Sequence, residues 1–348
     1  MATRHEVAVL AGTSDSVVSY VVNGGPRGVA PATKDRVLRA IDELNYRPNA
    51  LARSLKFRQS MTLGLVLPDS SNPFFAQLAQ KLENEAFEHG YTLLFGNAMD
   101  DDNREAVYVR ALIDRQADGL LLIPSHGARA WEADLVRSGI PSVVLDRDIS
   151  LEGTSTFITD NVAGGAAATR HLLGHGHSNV VCLAGPRDEQ PTTDRVLGWQ
   201  QALEGAGVGQ GEQRVVYASF GRAASYAAAR RLFGEPERPS AIFVTSDEQA
   251  TGVIRAAYEA GMRVPEDIAI CSFDGIEGSA YMVPSLTTMA QPIERIARAA
   301  LQHLLARITE PLTPSKHETF SATLISRRSC GCAEVSAAQD ESLTAVQS

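Results

Sequence analysis

Eight short, uninterrupted apolar runs recur down most of this chain: TLGLVLP (62–68), YTLLFGN (91–97), DGLLLIP (118–124), PSVVLD (141–146), VVCLAGP (180–186), RVVYASF (214–220), AIFVTSD (241–247) and IAICSFD (268–274). Each is preceded or followed by a helical stretch such as 74–89. A strand that is apolar on both sides needs a cover on both sides, and helices flanking a parallel sheet supply it. The runs fall into two sets of four, which predicts an α/β fold of two doubly wound parallel-sheet lobes over 61–330. Crossings between lobes are expected near 155–161 and 286–291, giving a first lobe of about 61–159 and 287–317 and a second of about 160–286 and 318–330. At 348 residues the chain has room for these lobes and one small domain more.

That domain is expected over 1–47. Thr3 and Glu6 have the spacing of a capping box, and Val7, Ala8, Leu10 and Ala11 give a first helix one apolar face. Gly12 supplies a turn, and Thr13 or Ser14 can cap a second helix. In that helix Val17, Val18, Val21 and Val22 face inward while Asp15, Ser16, Ser19 and Tyr20 face out. A third helix begins at Pro31, with Val37, Leu38, Ile41 and Leu44 inside. Three such helices could simply cap a larger domain, but charge argues otherwise. Residues 1–60 hold nine Lys or Arg against five acids, a net of +4, whereas the remainder holds 23 basic and 36 acidic residues, a net of −13. A basic head on an acidic body suits phosphate binding by the head alone. Between them, 48–60 carries PNALARSLK, a helix former too short to be stable in isolation.

Ligands of open parallel sheets bind beyond the carboxyl ends of the strands. The polar and aromatic residues there are Asn72, Phe74 and Phe75 after the first run, Asp146 and Arg147 after the fourth, Phe220, Asp247 and Asp274 in the second set, Arg195 from the helix after LAGPRDEQPTTD, and Gln291. Carboxylates, guanidiniums and an amide around aromatic rings suit a sugar, whose hydroxyls donate and accept while its C–H faces stack on Phe. Asp247 and Asp274 could form a carboxylate pair, but no Ser/His/Asp or Cys/His constellation accompanies them, and the chain is read as a binding protein, not an enzyme.

VAVLAGTS and VVSYVVN in the head, YRPNALARSLK after it, then LGLVLPDSSNPFF, ADGLLL, LDRD, DN, SFDG and LTTMAQP occur in an order and spacing that resembles the LacI/GalR family of bacterial transcriptional regulators over nearly the whole chain. The resemblance implies that the second helix enters the major groove, with base-reading positions at Asp15, Ser16 and Tyr20 and with Ser19 beside them. It implies that two copies of the hinge fold in the minor groove, where Leu55, with Lys56 beside it and Ala52 a turn earlier, would wedge a base step. The cleft residues also resemble the ligand positions of ribose-type periplasmic sugar-binding proteins, with Asp247 where an Asn is common. A homodimer on a near-palindromic operator, a small carbohydrate effector and no cofactor are what the likeness implies; a purine or nucleoside effector stays open, as does whether effector releases or promotes DNA binding. Three departures stand out. Tyr20 replaces an Arg, which removes bidentate reading of guanine, Asp15 puts an acid beside phosphates, and Ala30 stands where a capping Ser is usual.

Residues 1–6 begin a capped polar helix with no apolar signal run, and no stretch approaches the roughly 20 apolar residues of a membrane span, so the cytoplasm is the expected location. His171, His175 and His177 in HLLGHGH have partial metal-ligand spacing, but Gly174 and Gly176 mark a helix end where histidine suits the dipole, and no metal is expected. Cys182 and Cys271 lie in apolar runs, and Cys330 and Cys332 are expected in a free tail leading into a disordered 331–348.

Overall fold

The structure is a computed structural model that describes residues 2–23, 28–47, 59–125, 130–149, 151–209 and 213–333. It divides into two compact units, Met1–Met61 and Thr62–Ser348. Ala52, Leu55 and Lys56 of the hinge lie outside the described residues, as does 334–348.

The head is three helices, α1 (Arg4–Leu10), α2 (Asp15–Asn23) and α3 (Pro31–Glu43). The capping box forms: Thr3 N donates to Glu6 Oε2 at 2.6 Å and Glu6 N to Thr3 Oγ1 at 3.3 Å. Ser14 takes the cap of α2, accepting from Val17 N. Val7, Ala8, Ala11, Val18, Val37 and Ala40 form the core, and Arg36 Nε closes it by donating to Ala11 O at 3.0 Å. Three expectations fail. Leu10 and Leu38 are exposed, because Val7 and Ala8 with the C-cap Ala11 take the inner positions at α1, and Val37 and Ala40 those of α3. Ser19, expected outward, is buried beside Val18 on the inner side of α2.

Among the described residues, twelve strands and eight further helices build the second unit. The first lobe holds β1 (Thr62–Leu67), α4 (Pro73–Glu88), β2 (Thr92–Asn97), α5 (Asp102–Asp114), β3 (Gly119–Leu122), α6 (Glu132–Ser138), β4 (Ser142–Leu145) and β5 (Thr154–Thr159). The second holds α7 (Asn161–Gly174), β6 (Val180–Ala184), α8 (Gln190–Gly205), β7 (Val215–Tyr217), α9 (Arg222–Phe233), β8 (Ala241–Val244), α10 (Asp247–Glu259), β9 (Ala269–Asp274) and β10 (Thr287–Ala290). The chain then returns as α11 (Ile293–Thr309) and β11 (His317–Phe320) before ending on β12 (Thr323–Ile325). The sheet orders are β11-β5-β4-β3-β1-β2 and β12-β10-β9-β8-β6-β7, parallel throughout except where β12 runs antiparallel to β10. Both lobes therefore share the 2-1-3-4-5 order, whose switch point places a ligand beyond the strand ends. All eight apolar runs become strands, with Leu63 to Leu67 buried and Leu65 beside Leu121.

The lobe boundaries need correction. β10, assigned to the first lobe, pairs with β9 in the second, and β11 pairs with β5, so that 318–320 belongs to the first lobe. The crossings fall at 159–161, 290–293 and 320–323. β5 and β10 escaped the apolar-run criterion because hydroxyls do the packing: Thr154, Ser155, Thr156, Thr287 and Thr288 are buried, and Ser142 and Thr154 bond across strands at 3.1 Å; β11 and β12 escaped it because they are short, largely unburied edge strands. The expected free tail also begins later than Cys330, which is buried in the core of the second lobe. Among the described residues no helix is long and apolar enough to cross a membrane.

Candidate functional site

The two sheets end on a cleft of about 450 Å³ lined by residues of both lobes. On the first lobe Asn72 caps α4, accepting from Phe74 N at 3.0 Å, which fixes Phe74 and Phe75 in the first turn edge to face, 5.3 Å between centroids. Pro73 at the first helical position has no N–H to leave unpaired. β4 delivers Asp146 in a left-handed conformation, φ 64°, where an L side chain is strained. Asp146 Oδ2 pairs with Arg147, while buried Asp146 Oδ1 has no hydrogen-bond partner among the described residues.

Arg147 reaches the other lobe, where its Nη2 meets Glu189 Oε2 at 2.9 Å. Glu189 occupies the cap position of α8, yet its carboxylate does not cap the helix. Beside it Asp148 N donates to Gln190 Oε1 at 2.6 Å, a second link across the cleft.

On the second lobe Arg195 is buried and held from three sides. Nε donates to Asn161 Oδ1 at 2.8 Å, Nη1 donates to Thr245 O at 2.6 Å and to Asp274 Oδ1 at 3.3 Å, and the guanidinium lies 3.9 Å from the Phe273 ring centroid. Two glycines bring it there: a Cβ on Gly165 would lie 2.3 Å from Arg195 O and one on Gly198 2.1 Å from Val162 O, so α7 and α8 meet backbone to backbone. Burial pushes the Asp274 carboxyl up to about 7 although Arg195 opposes it. Gly185 similarly admits the Phe220 ring, which a Cβ would overlap at 2.5 Å.

Of the residues expected to bind effector, Asn72, Phe74, Phe75, Asp146, Arg147, Arg195, Phe220 and Asp274 all line this cleft. Asp247 does not. It is fully buried, its Oδ1 accepting from Ser272 Oγ and Thr288 Oγ1 and its Oδ2 from Gly275 N, Ile276 N and Ser279 Oγ. Five donors leave it no capacity for a ligand, and they tie the end of β9 to the start of α10. Gln291 stands one layer back, accepting from Thr159 Oγ1 at 2.6 Å and donating to Asp274 Oδ1 at 2.9 Å, and so orients Asp274 instead of lining the cleft. Sequence reasoning missed Glu189, although it sits in the same LAGPRDEQPTTD stretch that supplied Arg195; three acids lie close together there and only the fold selects one.

In the head, Ser16 is exposed, and Tyr20 and Asp15 are partly so. Asp15 is already paired, with Arg4 Nε at 3.7 Å and His5 Nδ1 at 3.2 Å, which offsets the acid that phosphates would otherwise meet. Ser19, being buried, leaves the outward row. Ala30 makes no side-chain cap to α3.

The model of bacterial regulatory proteins of the lacI family matches 3–49, and that of the periplasmic binding protein-like domain matches 169–330. The ribose operon repressor of Escherichia coli strain K12 is 37% identical over 331 residues, 94% of this chain and 100% of its own. The HTH-type transcriptional repressor PurR of Erwinia tasmaniensis is also 37% identical over 331 residues, 94% of this chain and 97% of its own. Among solved structures, a LacI family regulator from Enterococcus faecium with bound ribose superposes with a TM-score of 0.71 at 27% identity, covering 77% of this chain and 98% of its own. The first two of these relatives are repressors and the third is a transcriptional regulator; none is an enzyme. With its basic three-helix head and two-lobed cleft, this chain belongs to the LacI family of DNA-binding bacterial transcriptional regulators.

Proposed function

We propose that the protein is a cytoplasmic repressor whose operator affinity is set by a small sugar held between the lobes. The observation that carries the sugar is Asp146 Oδ1, a buried acceptor with no hydrogen-bond partner among the described residues, in a wall shared with Arg147, Arg195 and Asp274. Vicinal hydroxyls can donate to such carboxylates and accept from the guanidiniums, and Phe74, Phe75 and Phe220 offer apolar faces to the ring. The ribose operon repressor and the ribose-bound neighbour support an aldopentose. A purine is the second reading, supported by the PurR relative and by Phe74 and Phe220 in one cleft.

The working unit is a homodimer with one head per half-site of a near-palindromic operator. Phe87, Leu94, Phe95, Met99 and Val107 leave an exposed apolar face around edge strand β2, suited to a second copy. Effector shifts the balance between lobe arrangements and thereby the pairing of the hinges, where Leu55 wedges a central base step. Ser16 and Tyr20 read base edges.

A thermal-shift screen over pentoses, hexoses, disaccharides and nucleobases tests the effector, because bound ligand raises the melting temperature by mass action. Stabilisation by nucleobases and not by sugars would overturn the sugar reading. Leu55→Ala is expected to weaken specific operator binding far more than non-specific binding, and Tyr20→Arg to move half-site selection toward guanine; an unchanged motif removes Tyr20 from base reading.

A further inference from the structure

His171 in the last turn of α7 and His175 at its C-cap face the segment after β12, which carries Cys330 and Cys332. Cys330 Sγ lies 3.1 Å from His171 Nε2, and Cys332 Sγ lies 3.7 Å from His171 Nε2 and 3.3 Å from His175 Nε2. The four donor atoms all fall within 4.8 Å of one another. His177, grouped with the other two by sequence spacing, takes no part, since its Nδ1 meets Ser240 Oγ at 3.1 Å.

A histidine suited to a helix dipole accounts for the position of His171 and His175 on α7, but not for two thiols converging on them. Hydrogen bonding alone serves the group poorly. His171 Nε2 has one lone pair for two thiols, and Cys332 has one proton for two imidazoles. A tetrahedral ion answers all four at once. With Zn–S of about 2.3 Å and Zn–N of about 2.0–2.1 Å, neighbouring donors lie roughly 3.3–3.8 Å apart. Of the observed 3.1, 3.3 and 3.7 Å, two fall within that range and one just below it, and small rotamer changes bring in the remaining pairs.

The supporting residues have the form such a site requires. Thr287 Oγ1 lies 3.0 Å from Cys330 Sγ, within donating distance of a thiolate. The turn Arg328–Cys330 is held by Thr287 N donating to Ser329 Oγ at 2.8 Å and by Ser329 Oγ donating to Ile270 O at 2.7 Å. Gly331, at φ 94°, turns the chain so that both sulfurs face α7.

We propose that His171, His175, Cys330 and Cys332 form a structural Zn²⁺ site that fastens the end of the second lobe to α7. Two imidazoles and two thiolates are a donor set that Zn²⁺ fills without redox change, closed to a fifth ligand and remote in role from the effector cleft.

Tag-free protein, reduced and stripped with a chelator, is titrated with Co²⁺ as a spectroscopic stand-in and then with Zn²⁺. The expected result is one equivalent of Co²⁺ with thiolate charge-transfer and tetrahedral ligand-field absorption, displaced by one Zn²⁺, and a melting temperature raised by Zn²⁺ and lowered again by chelator. Cys330 and Cys332 are the thiols expected to give that band, because Cys182 and Cys271 lie within strands β6 and β9 and are not among the four clustered donors. His175→Ala and Cys332→Ser alter side chains that are not fully buried, and circular dichroism verifies their folding. Each should weaken Zn²⁺ binding by more than the about 10–100-fold typical of losing a supporting residue. Binding without a thiolate band, binding that survives both variants, or no binding to reduced folded protein would overturn the site. A Cys330–Cys332 disulfide in protein isolated under argon with bound metal absent would overturn it equally.

Discussion

Arg195 donates to Asp274 from 3.3 Å across the floor of the second lobe, and the pair is buried so deeply that the carboxyl is still pushed up to about 7. Loss of hydration outweighs the neighbouring guanidinium, and the effector cleft therefore contains a group that changes charge near neutral pH.

This group should make effector binding pH-dependent. Hydroxyls that donate to Asp274 favour its ionised form, so affinity should rise as pH rises through about 7, with a proton released on binding. Stability runs the other way. A carboxyl raised from 3.8 takes up a proton on folding, so its burial costs nothing below 3.8 and progressively more as pH climbs through about 7. Calorimetry in buffers of different ionisation enthalpy between about pH 6 and 8 reads the proton release. Asp274→Asn should abolish it.

Asp247 is expected to behave as a structural residue. Asp247→Ala strands five donors in a dry interior and should cost about 3 kcal/mol or more by urea denaturation, with Asp247→Asn milder. The folded fraction should keep its effector affinity. A variant of normal stability that no longer binds effector would return Asp247 to the ligand set.

Gly198→Ala tests how Arg195 is positioned. The new Cβ meets Val162 O, backbone that cannot swing aside, so α7 and α8 must separate. A loss of about 1–3 kcal/mol by thermal denaturation is expected, with a weaker effector response in the same protein. Gly205→Ala, where a Cβ meets nothing within 4 Å, is the control on the same helix.

Ala30→Ser should stabilise the isolated head by about 1 kcal/mol, because α3 begins with no side-chain cap. The gain is read as a higher denaturation midpoint of residues 1–47, with unchanged operator sequence preference in the full chain.

The fold was legible in the sequence wherever burial is written in apolar side chains. Eight runs gave eight strands, and capping signals at Thr3, Ser14 and Pro31 gave helix starts, because these depend on neighbours a few residues away. Strands β5 and β10 stayed hidden because buried Thr and Ser fill them in place of apolar side chains, and β11 and β12 because they are short, largely unburied edge strands. Eight of the ten residues expected in the cleft line it, seven read from strand ends and the segments after them and Arg195 from a helix. Asp247 and Gln291 do not, since whether a carboxylate faces a ligand or five internal donors is decided by turns dozens of residues distant. Glu189 needed Arg147 brought in from the other lobe. His171, His175, Cys330 and Cys332 are separated by some 160 positions in pairs, and no local pattern joins them. The sequence by itself determined the family, the two lobes and the basic head; only tertiary structure decided which polar groups meet, because a hydrogen bond or a metal–ligand bond acts over about 2–3 Å whatever the distance along the chain.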